Sequence, residues 1–251
     1  MRTTQRADVV VSIATYPPRY PTLYLTLKSL LLQEPAPRRI ELCVTEEEAS
    51  LLPPSVVSLF PYGVEIRIAE HNLQSFKKYH PLRAAEPETT IVTADDEVYY
   101  WKGWLKQLLA GQEHGRQIVA HRARLIQLDE QGMPLPYRQW PVAPTPTTSH
   151  LVFPTGSGGV LYPPGVHHPD VLDIETYRRL CPTNDDIWLY WMARRQGSSL
   201  RTLGGNKWLR TWQGTQRNAL TTLNVDQGAN DPQVASMVKA YGFADLPLPR
   251  A

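Results

Sequence analysis

Two acidic clusters stand where chemistry could be done. Ile91-Val92-Thr93-Ala94-Asp95-Asp96-Glu97-Val98-Tyr99 runs from β-branched apolar residues straight into three adjacent carboxylates, then back to apolar and aromatic ones. Like charges repel, so such a cluster at a strand end calls for a positive partner. Oxygen ligands at this density suit Mg²⁺ or Mn²⁺, which bind through one or two carboxylates plus substrate phosphates. The acid-x-acid pair Asp95 and Glu97 could hold an ion that bridges a diphosphate and acts as a Lewis acid on the leaving group. The plain alternative is a solvated acidic turn. The second cluster, Thr183-Asn184-Asp185-Asp186, precedes the apolar residues Ile187, Trp188 and Trp191. Acids in a first helical turn complement the helix dipole, and Thr183 with Asp186 has the form of a capping box. An ionised carboxylate there could instead take the proton of an attacking hydroxyl while its neighbour orients the acceptor.

Two further segments have the residue types to meet such a substrate. Ser12 to Arg19 (Ser-Ile-Ala-Thr-Tyr-Pro-Pro-Arg) is a strand ending in hydroxyls, an aromatic ring and a guanidinium. Tyr16 could stack on a base and Arg19 contact a phosphate. Ser75-Phe76-Lys77-Lys78-Tyr79 places two lysines one crossover before the acidic strand, where they could meet a diphosphate or simply be solvated. Other chemistries fit poorly. The chain has no Gly-x-x-x-x-Gly-Lys phosphate loop and no Gly-x-Gly-x-x-Gly after the first strand. Gly156-Ser157-Gly158 is misspaced for a nucleophile elbow. His167 and His168 are adjacent, so regular structure would not aim both at one metal.

The elements that must position these residues alternate. Strands are predicted at Val9–Ala14, Ile40–Thr45, Val64–Ala69, Thr89–Thr93, Ile118–Ala120 and Val160–Tyr162. Helices are predicted from Leu23, Leu27, Leu30 and Leu31, over Ser75–Ala85, from Trp101 through Leu109, over Asp173–Leu180, and from Thr183 to Arg194. Alternation of this kind implies a mostly parallel sheet covered on both faces. Ligands of open α/β sheets bind beyond the strands' carboxyl ends, and that edge receives Thr15-Tyr16, Thr45-Glu46 and the acidic triplet. Residues 129–155 are Pro/Thr-rich and read as a long loop or β-excursion, and Thr155 to Gly159 as turns allowing close approach of backbone to a ligand.

Composition bounds the class. The 251 residues, 42% apolar and 20% charged, fit an ordinary globular α/β protein. A net charge of +2 is too small for a nucleic-acid-binding face. Cys43 and Cys181 suit two buried thiols in a reducing compartment. No apolar run approaches 18 residues, so neither a signal peptide nor a membrane span is expected, and a cytoplasmic location is. Arg194, Arg195, Arg201, Lys207, Trp208, Arg210 and Trp212 are read either as a face for an anionic lipid-linked acceptor or membrane, or as solvated charges over aromatic packing.

Taken in order, these segments resemble glycosyltransferases of the GT-A type, and more closely the bacterial enzymes of capsule, exopolysaccharide and lipopolysaccharide assembly. The resemblance rests on Ser12–Arg19, Lys77–Tyr79, the strand end at Asp95–Glu97, Gly156–Pro164 and Asp185–Trp188, and spans roughly residues 8–235. It implies a single α/β GT-A domain, with residues 1–120 for the nucleotide sugar and 121–251 for the acceptor. It also implies a nucleoside-diphosphate-sugar donor, UDP-linked by preference, with Mn²⁺ or Mg²⁺, and a saccharide or lipid-linked saccharide acceptor at the inner face of the membrane. By the same resemblance Thr15, Tyr16, Arg19, Lys77, Lys78, Asp95 and Asp96 would contact the donor, and Asp95, Asp96 and Glu97 the metal. Gly156, Gly158, Gly159 and Trp188 would border sugar and acceptor, and Asp186, with Asp185 beside it, would be the base of an inverting transfer. Glu97 stands where the family has aspartate, which weakens the metal assignment. A retaining transferase, a sugar nucleotidylyltransferase and a non-catalytic saccharide-binding or assembly subunit are the competing readings.

Overall fold

The computed structural model describes residues 6–204, 209–215, 224 and 228–248. Twelve strands occur among them: β1 (Arg6–Ala14), β2 (Ala36–Val44), β3 (Val64–Ile68), β4 (Ile91–Asp95), β5 (Val98–Tyr99), β6 (Gln117–Ala120), β7 (Ala123–Leu125), β8 (Thr147–Thr148), β9 (Val152–Pro154), β10 (Val160–Tyr162), β11 (Ser199–Thr202) and β12 (Arg210–Thr211). The helices are α1 (Tyr20–Leu31), α2 (Glu46–Ser50), α3 (Pro54–Val57), α4 (His80–Ala85), α5 (Trp104–Ala110), α6 (Ile174–Leu180), α7 (Asp185–Gln196) and α8 (Asn230–Tyr241).

Eight strands form one sheet in the order β3-β2-β1-β4-β10-β6-β11-β8. β1, β2, β3 and β4 run parallel, as do β6 and β11. β10 lies antiparallel between β4 and β6, and β8 antiparallel at the far edge. This is the mostly parallel α/β sheet that the alternation predicts. Strands buried on both faces read as continuous apolar runs, and alternate residues serve opposite sides. Val9, Val11, Ile13, Val92 and Leu161 pack with Leu23, Leu27 and Leu30 of α1 and Trp104, Leu105 and Leu108 of α5. Val10, Ile91, Ile118 and Val160 pack on the other face with Tyr177, Trp188, Trp191 and Met237 from α6, α7 and α8.

Local departures from expectation have local causes. The helix expected over Ser75–Ala85 is a 3₁₀ turn at Gln74–Lys78 followed by α4, because Pro81 sits in the first turn of α4 and lacks the amide to continue an earlier helix. α5 starts at Trp104, leaving Trp101 outside. α7 is capped by Asn184, whose side chain accepts from the Ile187 amide at 3.3 Å, and not by Thr183, whose hydroxyl donates to Asn224 Oδ1 at 2.7 Å. The region 129–155 contains β8 and β9 besides loop. Cys43 and Cys181 are free and buried. No helix among the described residues is long and apolar enough to cross a membrane.

Of the residues read either as a basic face or as solvated charges over aromatic packing, those described are mostly engaged within the fold. Arg194 is buried against Tyr190, Arg195 pairs with Asp170 at 2.8 Å and Arg201 with Glu113 at 2.6 Å, while Trp212 donates its indole N–H to Thr26. Lys207 and Trp208 lie outside the described residues. A separate charge lattice ties β2 to β3. Glu41 binds Arg39 at 2.5 Å and Arg67 at 2.5 Å, Glu86 binds both arginines, and Arg38 bridges Glu86 to Asp8.

Candidate active site

A cavity of about 720 Å³ opens where β1 and β4 end, within the usual range for small-molecule sites. Parallel β1 and β4 end side by side, with Ala14 paired to Asp95. Their next residues, Thr15-Tyr16 and Asp96-Glu97, therefore enter the same wall. Thr15 is buried, and its carbonyl accepts from Lys77 Nζ at 3.2 Å. Lys77 also pairs with Glu48 at 2.5 Å. The guanidinium of Arg19 lies 5.9 Å from the Tyr16 ring centroid and pairs with Glu97, with Asp96 at 3.9 Å. Burial raises the Asp96 carboxyl to about 7, against the opposing effects of Thr15 and Arg19.

Lys78 joins this wall to the next. Its ammonium lies 2.8 Å from Asp95 Oδ1 and 3.6 Å from Asp185 Oδ2. Burial works against its charge, but Asp185, Asp95 and Asp186 together outweigh burial and raise its pKa well above the usual lysine value. Asp185 is buried and accepts from the Ser75 hydroxyl at 2.6 Å. Asp186, less buried and facing the cavity, accepts the Gly156 amide on both oxygens at 3.1 and 3.0 Å. Burial and then the neighbouring Asp185 charge raise Asp186 to about 7. A carboxylate poised near neutrality with one face to a cavity has the properties of a general base.

No family model matches the sequence, and no curated protein does. Among solved structures, the chain is similar to residues 1–349 of S. aureus TarS, at 17% identity and a TM-score of 0.46. That match covers 81% of this chain and 59% of the TarS fragment, so the chain spans well under two thirds of its length. The same fragment in complex with UDP-GlcNAc matches at 15% identity and a TM-score of 0.44, over 81% of this chain and 57% of that one. HddC from Yersinia pseudotuberculosis matches at 13% identity and 0.39, over 62% and 76% of the two chains. Likenesses this distant lend nothing to an argument about chemistry, which rests on the side chains.

The side chains do not form the expected metal site. Asp95 turns to Lys78, Asp96 to Thr15 and Arg19, and Glu97 to Arg19. Asp96 and Glu97 thus share the Arg19 guanidinium, and Asp95 turns away from them to Lys78. Among the described residues no three Asp, Glu, His or Cys side chains gather as ligands. A divalent ion bound at Asp95 would meet the Lys78 ammonium 2.8 Å away. This donor set does not fit Mn²⁺ or Mg²⁺.

Of the other expected residues, Thr15, Tyr16, Arg19, Lys77, Lys78, Gly156, Asp185 and Asp186 line the cavity, while Gly158, Gly159 and Trp188 do not. A Cβ on Gly159 would strike the Trp104 ring at 2.4 Å, and one on Gly158 would strike Arg122 Cβ at 2.9 Å, so both glycines serve packing. Trp188 is fully buried and donates its indole N–H to Val171 O at 3.0 Å; it is core, not a sugar platform. Sequence reasoning missed Arg122, Arg124, Tyr137, Asn184 and Asn230, which also line the cavity. The one available signal was Arg-x-Arg just past β6, where a strand pleat would send both side chains to one face.

Proposed function

We propose that this protein is a glycosyltransferase that moves a sugar from a nucleoside-diphosphate sugar, UDP-linked by preference, to a hydroxyl of a saccharide or lipid-linked saccharide. The observation that carries the reading is Asp186, a cavity-facing carboxylate raised to about 7 and held on the Gly156 amide. Through Lys78 it is tied to the strand-end acid Asp95. Tyr16 and Arg19 at the end of β1 would receive the nucleotide, and Lys78 would face the departing phosphate. Residues 1–120 would serve the donor and 121–251 the acceptor, within one domain at the cytoplasmic side of the membrane.

In the proposed step an acceptor oxygen attacks the anomeric carbon from the face opposite the diphosphate. Its proton passes to Asp186, the bond from the anomeric carbon to the phosphate oxygen breaks, and the nucleoside diphosphate leaves with the electron pair. Configuration inverts. Asp185, engaged with Ser75 and Lys78, is a positioning residue that helps keep Asp186 basic. The test is transfer or slow hydrolysis of a UDP-sugar by the purified chain, with NMR of the product's anomeric configuration. Absence of UDP binding at millimolar nucleotide would sink the reading, and a retained configuration would remove Asp186 as base.

A further inference from the structure

Five basic side chains line the cavity, and they fall into two groups. Lys77, Lys78 and Arg19 each hold a carboxylate: Glu48, Asp95 and Glu97. Arg122 and Arg124 do not. Among the described residues neither has an acid within ion-pair distance, although six acidic side chains line the same cavity.

The second pair is built rather than loose. Arg124 lies in β7 and Arg122 immediately precedes that strand, so the pleat directs both to one face. β7 is itself fixed by antiparallel pairing with β9, Arg124 opposite Phe153. Arg122 Nη1 donates to Thr155 Oγ1 at 2.9 Å, and Arg124 Nη1 to Trp140 O at 2.6 Å. The Arg124 guanidinium lies 4.9 Å from the Tyr137 ring centroid. Burial lowers the pKa of Arg122 below the usual arginine value, and the charge of Arg124 lowers it further. Two like charges held together in a half-buried wall, with no acid in ion-pair distance among the described residues, stabilise an incoming anion. Guanidinium suits the planar oxygens of phosphate and carboxylate groups.

Position decides which substrate brings that anion. Arg122 reaches Thr155, next to the Gly156 that holds Asp186, and Asp186 in turn acts on the charge of Arg122. The strand-end residues assigned to the nucleotide belong to β1 and β4, which β10 separates from β6 and the segment that follows it. We infer that Arg122 and Arg124 form an anion subsite on the acceptor side, so that the accepted saccharide carries a phosphate or carboxylate group close to the hydroxyl that is glycosylated. The word acceptor rests on the transferase reading; the anion subsite does not.

Titration of the full chain with inorganic phosphate, glucuronate and, separately, UDP tests both parts, with Arg122→Gln and Arg124→Gln beside the parent. Phosphate or glucuronate affinity should fall at least tenfold in each variant, while UDP affinity stays within twofold. Arg124→Lys, which keeps the charge and loses the fork, should fall between. Circular dichroism melts confirm that the variants are folded. Unchanged anion affinity in both glutamine variants overturns the subsite. A loss of UDP affinity equal to the loss of phosphate affinity moves the pair to the donor and overturns the acceptor assignment. A parent chain that binds phosphate through these arginines but no UDP keeps the subsite and refutes the transferase.

Discussion

The lattice on β2 and β3 and the cavity at the ends of β1 and β4 are both dense in charge, yet they respond to pH with opposite sign. In the lattice, hydrogen bonds from Arg39 hold Glu86 below the ordinary carboxylate value. A carboxyl lowered by folding adds stability that is present above its unfolded pKa and is lost as pH falls through the folded one. In the cavity, burial raises Asp96 and Asp186 to about 7. A carboxyl raised by folding contributes stability that is full below about pH 4 and lost as pH climbs through about 7. The lattice thus weakens in acid, while the cavity strains the fold at neutral pH. Every acid of the lattice faces a guanidinium, whereas the cavity keeps acids whose ionisation burial opposes and, among the described residues, two arginines with no acid in ion-pair reach. Charge arranged for stability is neutralised where it stands; charge arranged for chemistry is left short of partners.

The sharpest way to break this comparison is Asp186→Asn. Sugar transfer should fall by roughly 10² to 10⁴-fold, the usual worth of a general base, with UDP affinity unchanged. In the parent, kcat should decline as pH drops below about 7, where the base becomes protonated. The variant should melt no lower than the parent at pH 8, and its advantage should disappear near pH 4. Transfer within threefold of the parent would place the cavity acid among structural charges.

Lys78→Met comes next. Removing one partner of a buried ionic cluster costs about 3–5 kcal/mol, here because Asp95 and Asp185 lose their shared cation. Chemical denaturation at pH 8 should show the loss. A variant as stable as the parent would deny that Lys78 is the shared counter-charge of the two acids.

Glu41→Gln tests the lattice. The side chain of Glu41 is only 2% exposed and holds two arginines, so roughly 1–3 kcal/mol should be lost at pH 7. Kinetics should stay within twofold. A kinetic defect would join the lattice to the site and erase the contrast.

Chelation should do less still. UDP affinity measured with EDTA and with added Mn²⁺ should agree within twofold, because Arg19 and Lys78 already occupy the carboxylates. A tenfold gain with Mn²⁺ would show that these pairs open for an ion. Asp8→Asn should be silent: its carboxylate is 90% exposed and meets a guanidinium that is 41% exposed, a surface pair of little worth.

Much of this was legible before the structure. The apolar runs of β1, β2, β4 and β6 are local signals, and the acids that end β4 and begin α7 follow directly from them. What stayed hidden depends on partners distant in sequence. Nothing near Asp95 reveals that Lys78, 17 residues earlier, occupies it, and the substrate role that the resemblance implies for Trp188 gives way to the buried side of α7 once its indole is seen against Val171. Arg122 and Arg124 offered only an Arg-x-Arg spacing, because a three-residue strand gives too short a pattern to assign. Their meaning comes only from the cavity they face.

β10 has a temporal consequence. It is only three residues long, yet within the sheet it alone bridges the parallel blocks β3-β2-β1-β4 and β6-β11. As the chain emerges during synthesis, the first block can pair with itself, but β6 has no place beside it until residue 162 has been made. The carboxylates at the end of β4 therefore wait, unpartnered by the later ones, until the start of α7 has been made. Pulse-labelled hydrogen exchange should find β6 and β10 gaining protection together, after β1 and β2. The two halves of the cleft would then melt as one cooperative unit rather than as separable modules.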